Sequence, residues 1–175
     1  NIFTPAAVNV DTADLSLLVM PERLQVAIKS DDMSKAIKKL EIIISALPHT
    51  PYRAIGFNFD WVIEPVNASK YGSDVRRMFL SDGNPLRSFF SDDNARFGSY
   101  MSINKFDMRL RLDIKPTILI NDGKSIEVLT INFNYHKDAD QVDPANKLIS
   151  LLQNLQSARE FTVKLAQEIE AGWTK

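Results

Sequence analysis

The chain has 175 residues, 45% of them apolar and 25% charged, the composition of a globular domain that buries roughly 68–75% of its unfolded surface. Its 21 basic and 22 acidic residues leave a formal net charge of −1, so no long-range field draws it to nucleic acid or to an anionic membrane. The absence of cysteine excludes disulfides, thiolate nucleophiles and cysteine-ligated metal centres, and it fits a cytoplasmic protein. No apolar run approaches the ~20 residues that span a bilayer, and Asn1-Ile2-Phe3-Thr4 lacks the pattern of a signal peptide.

Residues 1–13 show no sustained periodicity and read as an N-terminal arm. From Leu15 to Lys29 two short stretches meet at Pro21-Glu22, the second with Leu24, Val26 and Ile28 on one face, which predicts a hairpin. Ser30-Asp31-Asp32 offers caps for a helix in which Met33, Ile37, Leu40, Ile44 and Leu47 recur at helical spacing until Pro48. The clearest strand follows, with Ile55, Phe57, Phe59, Trp61 and Ile63 alternating against Gly56, Asn58, Asp60, Val62 and Glu64. Asn67-Ala68-Ser69 matches a glycosylation sequon, a pattern loose enough to recur by chance.

A helix is expected around Ser69–Leu80, then a turn at Asp82-Gly83-Asn84-Pro85 and a helical turn at Leu86–Phe90. Strand character returns from Ser99 to Lys115, where Met108, Leu110, Leu112 and Ile114 alternate with polar residues, and Pro116 should interrupt the ladder. Asn121-Asp122-Gly123 is a hairpin turn signal, so its flanking strands should be neighbours. Leu129, Ile131, Phe133 and Tyr135 then share one face. Asp143-Pro144 reads as an N-cap with proline at the first helical position. It opens one long terminal helix whose stripe runs from Leu148 through Leu151, Leu155, Phe161 and Leu165 to Ile169.

This order lacks the regular strand–helix alternation of a doubly wound sheet. The expected fold is α+β: a largely antiparallel sheet of about six strands with helices on one face, in the order ββαβ(α)βββα, with a long C-terminal helix. Residues 14–175 are read as a single domain after the 1–13 arm.

Each clear strand has one apolar and one polar face, as in antiparallel sheets packed on one side. If registers allow, the other side gathers Asn58, Asp60, Arg109, Arg111, Asp113, Thr130, Asn132 and Asn134. Such a face is either solvated and crossed by weak ion pairs, or a recognition surface on which Arg grips carboxylates and Asn offers both donor and acceptor. RNA fits poorly, because Phe57, Phe59, Trp61, Phe133 and Tyr135 all belong to the core side, away from any stacking platform.

Catalytic patterns are weak. Asp113-Ile114-Lys115 has the spacing of a metal-dependent nuclease, with Asp60 as a further carboxylate if its strand adjoined, but 22 acidic residues produce such pairs at random. Two histidines, His49 and His136, do not make a histidine-rich metal site. The acids Asp138, Asp140 and Asp143 lack the Gly and Glu of a calcium-binding loop. There is no Walker loop, no G-x-G-x-x-G and no G-x-S-x-G. No cofactor is expected. The leading expectation is a non-enzymatic protein-binding or assembly module, pairing with a protein partner or with itself through the open sheet face, an edge strand or the C-terminal helix, where Trp173 lies. The alternatives are a small-ligand protein or enzyme with a cavity between sheet and helix, as in helix-grip folds, and a nuclease centred on Asp113 and Lys115.

Overall fold

The computed structural model describes residues 2–4, 7–21, 23–29, 32–67, 70–121, 123–139 and 142–173, with the side chains of Ile2, Phe3, Asn121 and Trp173 outside the description. Among these residues it is an α+β protein with two antiparallel sheets and four α-helices. Its internal contacts gather into two compact units, residues 1–53 with 139–156, and residues 54–138 with 157–175. None of the described helices is long and apolar enough to cross a membrane.

The first unit holds the sheet β1 (Ile2–Phe3), β2 (Val8–Asp11), β3 (Leu15–Met20) and β4 (Arg23–Ile28), in that order. The β3–β4 hairpin turns at Pro21 as the alternation predicts, while Glu22 lies outside the described residues. The arm read over residues 1–13 instead supplies β1 and β2, whose strands are too short for a period of two to show. Helix α1 (Met33–Ala46) starts at Asp32, whose carboxylate accepts the Ser34 amide at 3.2 Å and the Ser34 hydroxyl at 2.5 Å; the hydroxyl bond above all holds the Asp32 carboxyl below its usual range. Ser30 and Asp31 lie outside the described residues. α1 packs on α3 (Pro144–Leu152), which buries Ala145, Leu148, Leu151 and Leu152.

The second unit is built on β5 (Ala54–Ile63), β6 (Ser99–Lys105), β7 (Met108–Asn121) and β8 (Lys124–Asp138), in the spatial order β5-β8-β7-β6 with every pair antiparallel. Helix α2 (Tyr71–Phe79) is tied to it by the Tyr71 hydroxyl, which donates to the Val128 carbonyl at 2.8 Å. Burial, with the nearby Glu127 carboxylate, pushes this phenol up to about 12. Helix α4 (Leu155–Trp173) covers the apolar side: the Tyr135 hydroxyl lies 3.1 Å from Thr162 Oγ1 and 3.3 Å from the Ala158 carbonyl. The sequon residues Ala68 and Ser69, the start expected for α2, lie outside the described residues, as does Asp122 of the β7–β8 turn.

Three expectations are corrected. One sheet of about six strands is two sheets, because alternation reports a strand but not which distant strand it joins. Within Ser99–Lys115 the chain reverses at Phe106 and Asp107, with φ of 54° and 56°, an unusual place for Phe, and this reversal divides β6 from β7. Pro116 does not end the ladder, for it lies within β7 opposite Leu129; β6 stops at the Ser99–Ile114 pair, so β7 is an edge there and tolerates a missing N–H. The terminal helix is two helices separated at Gln153-Asn154; Asp143 holds the N-cap position of α3 with Pro144 opening the helix, as expected, but at φ 54° its carboxylate makes no bond to a backbone N–H of the first turn and accepts instead from Asn146 Nδ2 at 2.7 Å.

Candidate functional site

The registers of β5, β8, β7 and β6 set the polar residues in rows across the second unit's sheet. One row reads Asn58, Asn134, Arg111, Ser102; the rows beside it read Asp60, Asn132, Asp113, Tyr100 and Gly56, His136, Arg109, Asn104. All seven residues expected on the open face, Asn58, Asp60, Arg109, Arg111, Asp113, Asn132 and Asn134, therefore fall in three adjacent rows, and Thr130 follows in the next, opposite Val62 and Lys115. Side chains directly opposite on one face of a sheet lie ≈ 4.5–5.5 Å apart at Cβ, close enough to bond.

Most of them do. Asn132 Nδ2 donates to Asp60 Oδ1 at 2.7 Å and Asn134 Nδ2 to Asn58 Oδ1 at 2.7 Å. Lys115 Nζ donates to Asp113 Oδ2 at 2.9 Å, and His136 Nε2 lies 3.2 Å from Asp138 Oδ1. The Arg109 guanidinium reaches over β6, donating to Asn104 Oδ1 at 3.2 Å and to Ser102 Oγ. Arg111, exposed in the central row, has no hydrogen-bond or ion-pair partner among the described residues. A guanidinium there can take a carboxylate in two parallel bonds, which a solvated lysine cannot do.

Nuclease geometry is not assembled on this face. Asp113 is paired with Lys115, and Asp60 stands in the same row but with Asn132 between them. Among the described residues no three acidic or histidine side chains gather as a metal site. His49 lies in the connection after α1, and Asp140 is outside the described residues.

The opposite side of the sheet is packed. Met108, Leu110, Leu112 and Ile114 of β7, Leu129, Ile131, Phe133 and Tyr135 of β8, and Phe57 and Ile63 of β5 are buried, with Phe59 and Trp61 half-buried. Phe106 closes the α4 end, its ring 6.3 Å from Tyr135 and 6.1 Å from Phe161. Phe133 and Tyr135 are thus buried on the side that α4 covers, with Tyr135 against Thr162. Two open depressions lie among the described residues, ≈ 430 Å³ beside Met78, Phe79, Met101 and Ile169, and ≈ 410 Å³ within the Ala46–Pro51 connection.

Strand character is expected from Ser99 onward, but that β6 ends the sheet as an exposed edge is not legible in the sequence. The strand leaves five consecutive residues exposed, with Tyr100 at 64%, Met101 at 47% and Ile103 at 57% of full exposure. Natural edges are usually blunted by Lys, Pro or a bulge, yet β6 carries no charge before Lys105 and no proline. The signal was present as Tyr100, Ser102 and Asn104 alternating with Met101 and Ile103, but neither set is apolar enough to stand out. No family model matches this chain, and no curated protein and no solved structure is significantly similar to it.

Proposed function

We propose that this chain is a non-enzymatic protein-binding module, which takes an extended segment of a partner on the open face and β6 edge of the β5-β8-β7-β6 sheet. The observation that carries the reading is β6 itself: among the described residues an edge strand with an unpaired row of backbone donors and acceptors, exposed apolar side chains, no proline and no charge before its last residue, Lys105. Backbone pairing supplies affinity without sequence preference, and the neighbouring face supplies the preference. Arg111 suits an acidic side chain of the guest, while the Asn58–Asn134 and Asp60–Asn132 pairs offer further donors and acceptors. The filled helix–sheet interface favours this reading over a ligand cavity.

Selection of random displayed peptides on the immobilised protein tests it. Enriched peptides should alternate apolar and polar residues and carry an acid, and Ile103→Lys and Arg111→Ser should each weaken their binding about tenfold, equivalent to ~1.4 kcal/mol. Equal binding by both variants would refute it.

A further inference from the structure

The rows that cross β6 have a property that a generic guest strand would not need: they are complementary to themselves. An antiparallel pair of β6 strands related by a two-fold axis normal to the sheet keeps like faces on the same side and pairs positions whose numbers have a constant sum. With Ser102 opposite Ser102 of a second copy, all seven residues of Ser99–Lys105 pair: Met101 meets Ile103, Tyr100 meets Asn104 and Ser99 meets Lys105. No charge faces a like charge, and Met101 and Ile103, both exposed in the single chain, cover each other.

The polar rows carry the argument further. In that register the row Asp60, Asn132, Asp113, Tyr100 runs on into Asn104, Arg109, His136 and Gly56 of the second copy, so an acidic row continues into a basic one, twice by symmetry. Arg109 is already drawn over β6 by Asn104 and Ser102, which sets its guanidinium one strand spacing, about 4.8 Å, from the strand bearing Tyr100 of the second copy. That ring, 64% exposed in the single chain, is the face on which a guanidinium stacks. A net charge of −1 offers little repulsion between copies.

We infer that the strand added at β6 is β6 of a second copy, in the register centred on Ser102, joining the β5-β8-β7-β6 sheets of the two copies into one of eight strands with a continuous polar face. The inference rests on the proposed use of the β6 edge and names its occupant.

The chain has no cysteine, so single cysteines report the register directly. Under mild oxidation Ser102→Cys should form a covalent dimer at least about tenfold faster than Tyr100→Cys, because the first places two thiols opposite each other and the second separates them by four residues along the strands. Light scattering should give twice 19.8 kDa for the unmodified chain and the monomer mass for Ile103→Lys, with circular dichroism showing every variant folded. Equal cross-linking of the two cysteine variants, or a monomer mass for the unmodified chain at all concentrations, would overturn the inference. If peptide selection still depends on Ile103 in that case, the binding reading stands without it; if it does not, both fall.

Discussion

The bond between Tyr135 and Thr162 is the most sensitive measure of how α4 is held on its sheet. Both side chains are buried, at 0% and 2% exposure, with their oxygens 3.1 Å apart, and the tyrosine also reaches the Ala158 carbonyl at 3.3 Å. Tyr135→Phe removes the phenol oxygen and leaves the threonine hydroxyl dry and unpaired, which should cost ~1.5 kcal/mol. Thr162→Val keeps the shape and leaves the phenol its bond to Ala158, so ~1 kcal/mol is expected. In the double variant the second change removes a hydroxyl that has already lost its partner. The total should then stay near ~1.5 rather than ~2.5 kcal/mol, a coupling of ~1 kcal/mol. Urea unfolding followed by tryptophan fluorescence, with Trp61 on β5 as a reporter, measures all four corners of the cycle. For a chain of this size the single tyrosine change should lower Tm by about 3–6 °C. Costs that add to within ~0.3 kcal/mol would show the two hydroxyls to be independent, and the docking of α4 described above would be wrong.

Two further outcomes follow from the same packing. In the unfolded chain Tyr71 ionises near its ordinary value of 10.0, whereas burial holds the folded phenol neutral until about 12. Its contribution is therefore whole below pH 10 and is lost as pH rises from 10 towards 12, on the order of 2 kcal/mol in all. A stability–pH profile should lose that segment in Tyr71→Phe, and a tyrosinate absorbance titration with every phenol ionising near 10 would contradict it. Gly98 enters β6 with its α-carbon pressed on β7: a Cβ there would sit inside contact distance of the Ile114 carbonyl oxygen and 3.3 Å from Lys115 Cα. Gly98→Ala should cost at least ~2 kcal/mol, since backbone has to move to admit one methyl, and an unchanged urea midpoint would show that this approach is not close.

Much of the local structure is legible in the chain because it is decided by neighbours in sequence. A period of two in Ile55–Ile63 and Leu129–Tyr135 and a helical period from Met33 to Ile44 each reflect the requirement that one face be apolar, and those elements occur where the pattern puts them; the turn chemistry after Ile120 makes neighbours of its flanking strands, with Asn121 opposite Lys124. The same alternation marks Asn58, Asp60, Arg109, Arg111, Asp113, Asn132 and Asn134 as outward residues. What alternation lacks is any record of distance. That β5 joins β8, so that Asn58 bonds Asn134 across 76 positions, that the hairpins fall into two sheets, and that β6 ends as an open edge are consequences of pairings between remote segments. Those pairings follow from which apolar faces can be buried together, and only the folded chain expresses that. The turn at Phe106-Asp107 shows the limit from the other side: Phe is held at φ 54° because its ring packs between Tyr135 and Phe161, so tertiary contact overrides local preference there.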